Sequence, residues 1–130
     1  SPINLADIPE KEIVPGFFAR FVHSEHMTLA YWHIEAGAAL PEHAHPHEQV
    51  LNLLEGEFEA VVAGETSHLY PGMVSIIPGG VRHSGKALTA CRIIDAFYPV
   101  REEYRSQFST RSITNCRLAA LLMASNPKAR

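Results

Sequence analysis

From Met27 onward the chain alternates apolar and polar positions in short runs, and turn residues cut each run before it can become a helix. The runs Met27–Glu35, Glu48–Glu55, Glu57–Ala63, Thr66–Tyr70, Met73–Ile77, Val81–Lys86 and Cys91–Tyr98 predict strands. Between them stand Ala36-Gly37, Glu55-Gly56, Gly64-Glu65, Pro71-Gly72 and Pro78-Gly79-Gly80, which supply a positive or a fixed φ for tight turns. In Glu57–Ala63 the parity places Phe58, Ala60 and Val62 toward a core, and Glu57, Glu59 and Val61 away from it. Closely spaced strands with no room for an ordinary helix between them predict an all-β sandwich or barrel and exclude α/β architectures.

The ends break this rhythm. Residues 1–26 predict an arm with a possible edge strand, residues 27–104 the barrel, and residues 105–130 a C-terminal extension. Within the extension, Ile113, Cys116, Ala120, Leu121 and Ala124 lie on one helical face of Arg111–Ser125, and Asn126-Pro127 closes it. A helix there would cover the barrel or a partner subunit.

Composition narrows the function classes. With 130 residues, 46% of them apolar and 19% charged, the chain forms one core and folds. A net charge of −3 offers no electrostatic footprint for nucleic acid or an anionic membrane. The balance is uneven: residues 1–100 hold 5 basic and 12 acidic side chains, residues 101–130 hold 6 and 2. Two cysteines, Cys91 and Cys116, lack metal spacing and read as reduced thiols. The apolar run Leu118–Ala124 is far too short to span a membrane, and no secretion signal opens the chain, so a cytoplasmic location is expected.

The chemistry is concentrated in histidine. All eight histidines fall between His23 and His83. In an extended segment His43 and His45 share a face, and two converging imidazoles suit a divalent first-row metal. Gln49 has their parity and Glu48 the opposite one, so an unbroken strand brings Gln49 in and turns Glu48 out; Pro46 is the position that can break that register. His83, after the turn Pro78-Gly79-Gly80, offers a further ligand. His47 reads as a neighbour of the ligands, facing substrate or solvent, while His23, His26, His33 and His68 read as ordinary surface or packing residues.

These residues carry a resemblance. Gly37-x5-His43-x-His45-x3-Gln49-x6-Gly56 resembles the first cupin motif, with Gln where most cupins have Glu. Gly72-x5-Pro78-x-Gly80-x2-His83-x3-Ala87 resembles the second, with Ala where Asn is usual, and the 15 residues between Gly56 and Gly72 match the short spacing of small prokaryotic cupins. The resemblance spans about residues 27–98 and implies a single-domain jelly-roll β-barrel with a metal in its mouth; by itself it does not fix a function.

The last strand adds an acid. Asp95 and Phe97 share parity, and a carboxylate behind Ile93-Ile94 is costly unless it has work or a partner. Arg101, after Pro99, either binds an anion in forked geometry or pairs with Asp95 to pin the strand. His43-Ala-His45-Pro-His47-Glu48-Gln49 together with Asp95-x-Phe97-x-Pro99-x-Arg101 is similar to the pectin- and alginate-degradation cupins, which convert 4,5-unsaturated uronates into linear 4-deoxy-5-keto sugars. That resemblance implies His43, His45, Gln49 and His83 as metal ligands and Asp95, Phe97 and Arg101 as catalytic residues. It also implies one divalent metal (nickel, zinc, iron, manganese or cobalt), a sugar-acid substrate and a homodimer. The competing expectations are a metal-dependent cupin dioxygenase or other isomerase, and a cupin that binds a sugar acid without turnover. Asp95 argues against the binder, because a pocket that only holds an anion has little use for a carboxylate.

Overall fold

A computed structural model describes residues 1–105. Ten strands form two antiparallel sheets. The strands are β1 (Lys11–Val14), β2 (Phe17–His23), β3 (Thr28–Ile34), β4 (Ala39–His43), β5 (Glu48–Glu55), β6 (Phe58–Val62), β7 (Glu65–Leu69), β8 (Val74–Ile77), β9 (His83–Ala87) and β10 (Cys91–Tyr98). One sheet runs β1-β2-β3-β10-β5-β8 and the other β4-β9-β6-β7, the two-sheet arrangement of a jelly roll. Helical structure is confined to a 3-10 turn at Leu5–Asp7 and α1 (Glu102–Arg105) among the described residues. No described helix is long and apolar enough to cross a membrane.

Alternation builds the interior. Thr28, Ala30, Trp32 and Ile34 of β3 are buried, as are Cys91, Ile93, Asp95 and Phe97 of β10 and Gln49, Leu51 and Leu53 of β5. The registers place them in rows across the sheet: Gln49–Phe97–Thr28, Leu51–Asp95–Ala30 and Leu53–Ile93–Trp32. Phe58 and Ala60 of β6 face them from the second sheet, with Val62 half-buried behind. At roughly 25 cal/mol per Å² of apolar surface removed from water, these rows are the main source of stability.

The predicted strands at 48–55 and 91–98 coincide with β5 and β10, and the others shift by one or two residues at their ends. Strands β2 and β4 lie outside the sequence expectation, which allowed only an edge strand within residues 1–26. β1 and β2 make residues 1–26 more than an arm, since β1 is a sheet edge and β2 is an interior strand. Their alternation is masked because Phe18 and Val22 put apolar side chains on the outer face as well. β4 contains Pro41, which is tolerated because β4 is an edge strand whose register with β9 shifts between Leu40 and His43. The helix expected at Arg111–Ser125, and Cys116 within it, lie outside the described residues. Cys91 is a buried free thiol whose pKa is raised by burial.

Candidate metal centre and its cavity

The two sheets open at the end where β4, β5, β9 and β10 meet. His43 closes β4, and its register partner across the sheet is His83, the first residue of β9. His45 follows in the bent segment between β4 and β5, so the extended run expected from His43 to Gln49 is interrupted. Pro46 lies in that bend, and Gln49 enters the site because it is the first inward residue of β5, with Glu48 exposed beside it.

The three rings converge. Centroids of His43 and His83 are 4.2 Å apart, of His45 and His83 4.9 Å, and of His43 and His45 5.8 Å. One nitrogen of each lies within 4.8 Å of the others. All three residues are buried. Each Nδ1 meets a backbone carbonyl: Pro41 for His43 and Val81 for His83, both at 2.9 Å, and His47 for His45 at 3.1 Å. A carbonyl only accepts, so each Nδ1 carries the hydrogen and each Nε2 is a lone pair. The Nε2 of His83 is buried without a hydrogen-bond partner. That of His45 faces Gln49 Oε1 at 3.1 Å, two acceptors against each other. Burial is the first cause that lowers the pKa of His43 to about 4 and of His45 to about 2, with the charge of Arg101 and the neighbouring rings adding to it. His83 is lowered too, again chiefly by burial. Neutral imidazoles with fixed tautomers, an orphaned lone pair and an acceptor–acceptor contact fit a bound divalent cation.

The two turns that deliver these histidines touch. Gly80 N donates to His45 O at 2.7 Å, and a Cβ on Gly79 would lie 2.3 Å from Pro46 O. Backbone cannot yield as a side-chain tip can, so Gly79→Ala is expected to push His83 away from His45. Metal affinity should then fall about tenfold or more, as for loss of an outer-shell support, in a titration against a competing chelator. Affinity equal to that of the natural sequence would refute this coupling of the turns.

Asp95 lies deeper in the cavity, and burial pushes its pKa up to about 7 against the attraction of the Gln49 amide, the Trp32 indole and Arg101. Phe97 packs edge-on against His45 with centroids 5.7 Å apart. Arg101 is buried, its guanidinium carbon 4.8 Å from the Phe97 ring centroid and 4.4 Å from that of Tyr104. Its ion pair is with Glu103, through Nε at 2.9 Å and through Nη2, so the expected alternative of an Asp95–Arg101 pair gives way to a neighbour two residues along the chain. Burial works to raise the pKa of Glu103, but Arg101 outweighs it and leaves that pKa lowered. Arg101 N also donates to the Oγ1 of the fully buried Thr28 at 2.9 Å.

The cavity is lined by His43, Gln49, His83, Asp95, Phe97 and Arg101 together with apolar core side chains and Trp32. His47 is half-buried and contributes its carbonyl to His45. Away from the cavity, His68 bonds Glu57 at 2.9 Å and His33 stacks on Phe18. His23 meets the Thr28 hydroxyl. Sequence reasoning missed Trp32, Thr28, Glu103 and Tyr104. Trp32 had a signal, the same inward parity as Asp95 once β3 and β10 are paired; the α1 residues had none.

Residues 30–97 match the profile of the cupin domain family. No curated protein sequence matches the chain. Among solved structures, KdgF from Halomonas sp. superposes with a TM-score of 0.75 at 25% identity, over 80% of this chain and 97% of that one. An RmlC-like cupin from Shewanella frigidimarina reaches 0.73 at 28% identity, over 76% and 90%. Oxalate decarboxylase from Bacillus subtilis shares the fold at 18% identity and a TM-score of 0.67, over 75% of this chain and 29% of that one.

Proposed function

We propose, on the premise that the chain belongs to the cupin domain family, that it opens and ketonises 4,5-unsaturated uronates to linear 4-deoxy-5-keto uronates. The observation that carries this reading is one cavity lined by His43, Gln49, His83, Asp95, Phe97 and Arg101, with His45 converging on the other two imidazoles. His43, His45, His83 and Gln49 stand at its mouth, with Asp95, Phe97 and Arg101 beside them. The likeness to KdgF over nearly the whole of that chain supports it.

The substrate is a cyclic hemiacetal with a C4=C5 double bond and a carboxylate on C5. Ring opening breaks C1–O5 as the O1–H proton leaves; C1 becomes an aldehyde, O5 an enolate oxygen, and protonation at C4 gives the ketone. Asp95 takes the proton from O1 and delivers it to C4, a task that suits a carboxyl poised near neutrality. Arg101, with Nε and Nη2 engaged by Glu103, turns its remaining edge to the substrate carboxylate. Phe97 walls the sugar from water. A divalent metal held by His43, His45, His83 and the Gln49 amide oxygen would stabilise the enolate as a Lewis acid, and four neutral ligands leave its charge undiminished.

Incubating the metal-loaded protein with a lyase-generated unsaturated uronate tests the reading. The conjugated ultraviolet absorbance should disappear, and in heavy water the product should carry deuterium at C4. A rate no higher than without protein, or a product with no deuterium at C4, would sink it.

A further inference from the structure

We propose that Trp32 is a positioning residue for Asp95: its indole N–H holds Oδ1, so that the other carboxylate oxygen is the one presented to substrate. The inference rests on the reading above only in giving Asp95 the moving proton. The placement itself comes from strand register and burial.

β3 and β10 pair with Ala30 opposite Asp95 and Trp32 opposite Ile93. Trp32 and Asp95 are therefore diagonal neighbours on the inward face, a separation that long side chains bridge. Ala30, the register partner of Asp95, has only a methyl group to interpose between them. Trp32 is 8% exposed and Asp95 6%. Trp32 Nε1 and Asp95 Oδ1 are both sealed from solvent, and neither has a hydrogen-bond partner among the described residues. The indole nitrogen can only donate and the carboxylate oxygen can only accept, so each supplies what the other lacks. Left unpaired in the interior, each atom carries its full desolvation penalty, which a hydrogen bond between them removes.

The rest of the packing fixes which partner moves. Phe17 and Phe21 stand edge-on to the indole, at 5.9 Å and 84° and at 6.1 Å and 85°. The ring is clamped on two sides, and its N–H direction is set by the core. Asp95 is the free member of the pair. Held at Oδ1, and drawn by the Gln49 amide, it keeps one oxygen in a constant position for O1–H and C4. The indole touches no reacting atom and acts through the carboxylate.

Trp32 is the chain's sole tryptophan, so replacing tryptophan in the growth medium alters this position alone. β-(3-Benzothienyl)alanine keeps the bicyclic shape and deletes the N–H; 4-fluorotryptophan keeps the N–H. On an unsaturated uronate the first is expected to lower kcat about tenfold or more, the scale of a lost hydrogen bond to a charged group. KM should change by less than about twofold, because the contact bears on the proton in flight. The fluorinated chain should retain its kcat. In an Asp95→Asn background the benzothienyl replacement should cost nothing further. Independently of turnover, the Asp95 carboxyl bands in the infrared difference spectrum, assigned by their loss in Asp95→Asn, should shift when the N–H is deleted. An unchanged kcat with an unshifted carboxyl band overturns the inference while leaving the proposed reaction standing. So does a loss that the fluorinated chain shares, or one that is confined to KM. If the natural sequence proves inert on uronates, the proposed reaction fails, and the infrared bands alone decide the hydrogen bond: unshifted, they overturn it.

Discussion

Asp95→Asn is expected to abolish most turnover and at the same time to stabilise the metal-free protein at pH 8. The rate should fall by about 10²–10⁴-fold, the usual worth of a general acid–base, because an amide neither takes the O1 proton nor returns one to C4. The stability effect follows from the same burial. An Asp carboxyl titrates at 3.8 when solvated and at about 7 in this cavity. Between these values the unfolded chain has released the proton and the folded chain still holds it, so stability falls as pH rises through that window. Above pH 7 the whole cost is present, about 4 kcal/mol as an upper bound from the shift. Asparagine carries none of it. The melting temperatures of the two proteins should therefore be close near pH 4 and separate as pH rises, by on the order of 10 °C at pH 8. A variant that melts below the natural sequence at pH 8, or one that retains its rate, would show that Asp95 is a structural group.

How far this site can be read without coordinates depends on what each residue relies on. β5 and β10 were legible to their ends because strict alternation and flanking turns act within one strand. His43, His45 and His83 were legible because spacing around glycine turns is local. Gln49 was reached by the right parity for a different reason: the strand breaks at the Pro46 bend, and β5 restarts the count. Trp32 was hidden in a strand that reads as plain core, since its meaning depends on pairing with β10, a partner about sixty residues away. The Arg101–Glu103 pair was hidden because parity says nothing of a chain that leaves its strand at Pro99 and turns into α1.

Stripping the metal is expected to return turnover to the background rate, and the affinity that opposes stripping should fall with pH between 7 and 5 far less steeply than for three solvated histidines. The first half follows from the enolate: without a Lewis acid, charge on O5 develops in a cavity whose only cation, among the lining residues, is Arg101, already engaged by Glu103. The second half follows from the rings. An ordinary histidine titrates at 6.5, so a solvated three-histidine site would lose about a decade of affinity per ring for each pH unit below that value. Here burial, first, holds His43 to about 4 and His45 to about 2, and it lowers His83 as well. In the metal-free site His43 and His45 have therefore shed their protons before the metal arrives. The cost appears in folding instead: the histidine contribution to the stability of the metal-free chain is complete above pH 6.5 and declines as pH falls toward 4, because the unfolded histidines accept protons that the folded ones refuse. At pH 5 that amounts to about 2 kcal/mol for each of His43 and His45, and the opposite slope of Asp95 returns about 2 kcal/mol, so the histidines decide the sign. Metal present at a thousand times its dissociation constant should add about 4 kcal/mol back. Chelator competition and melting curves at pH 5, 6, 7 and 8 check both halves. A thousandfold loss of affinity between pH 7 and 5.5 would place the three rings in water rather than in the barrel.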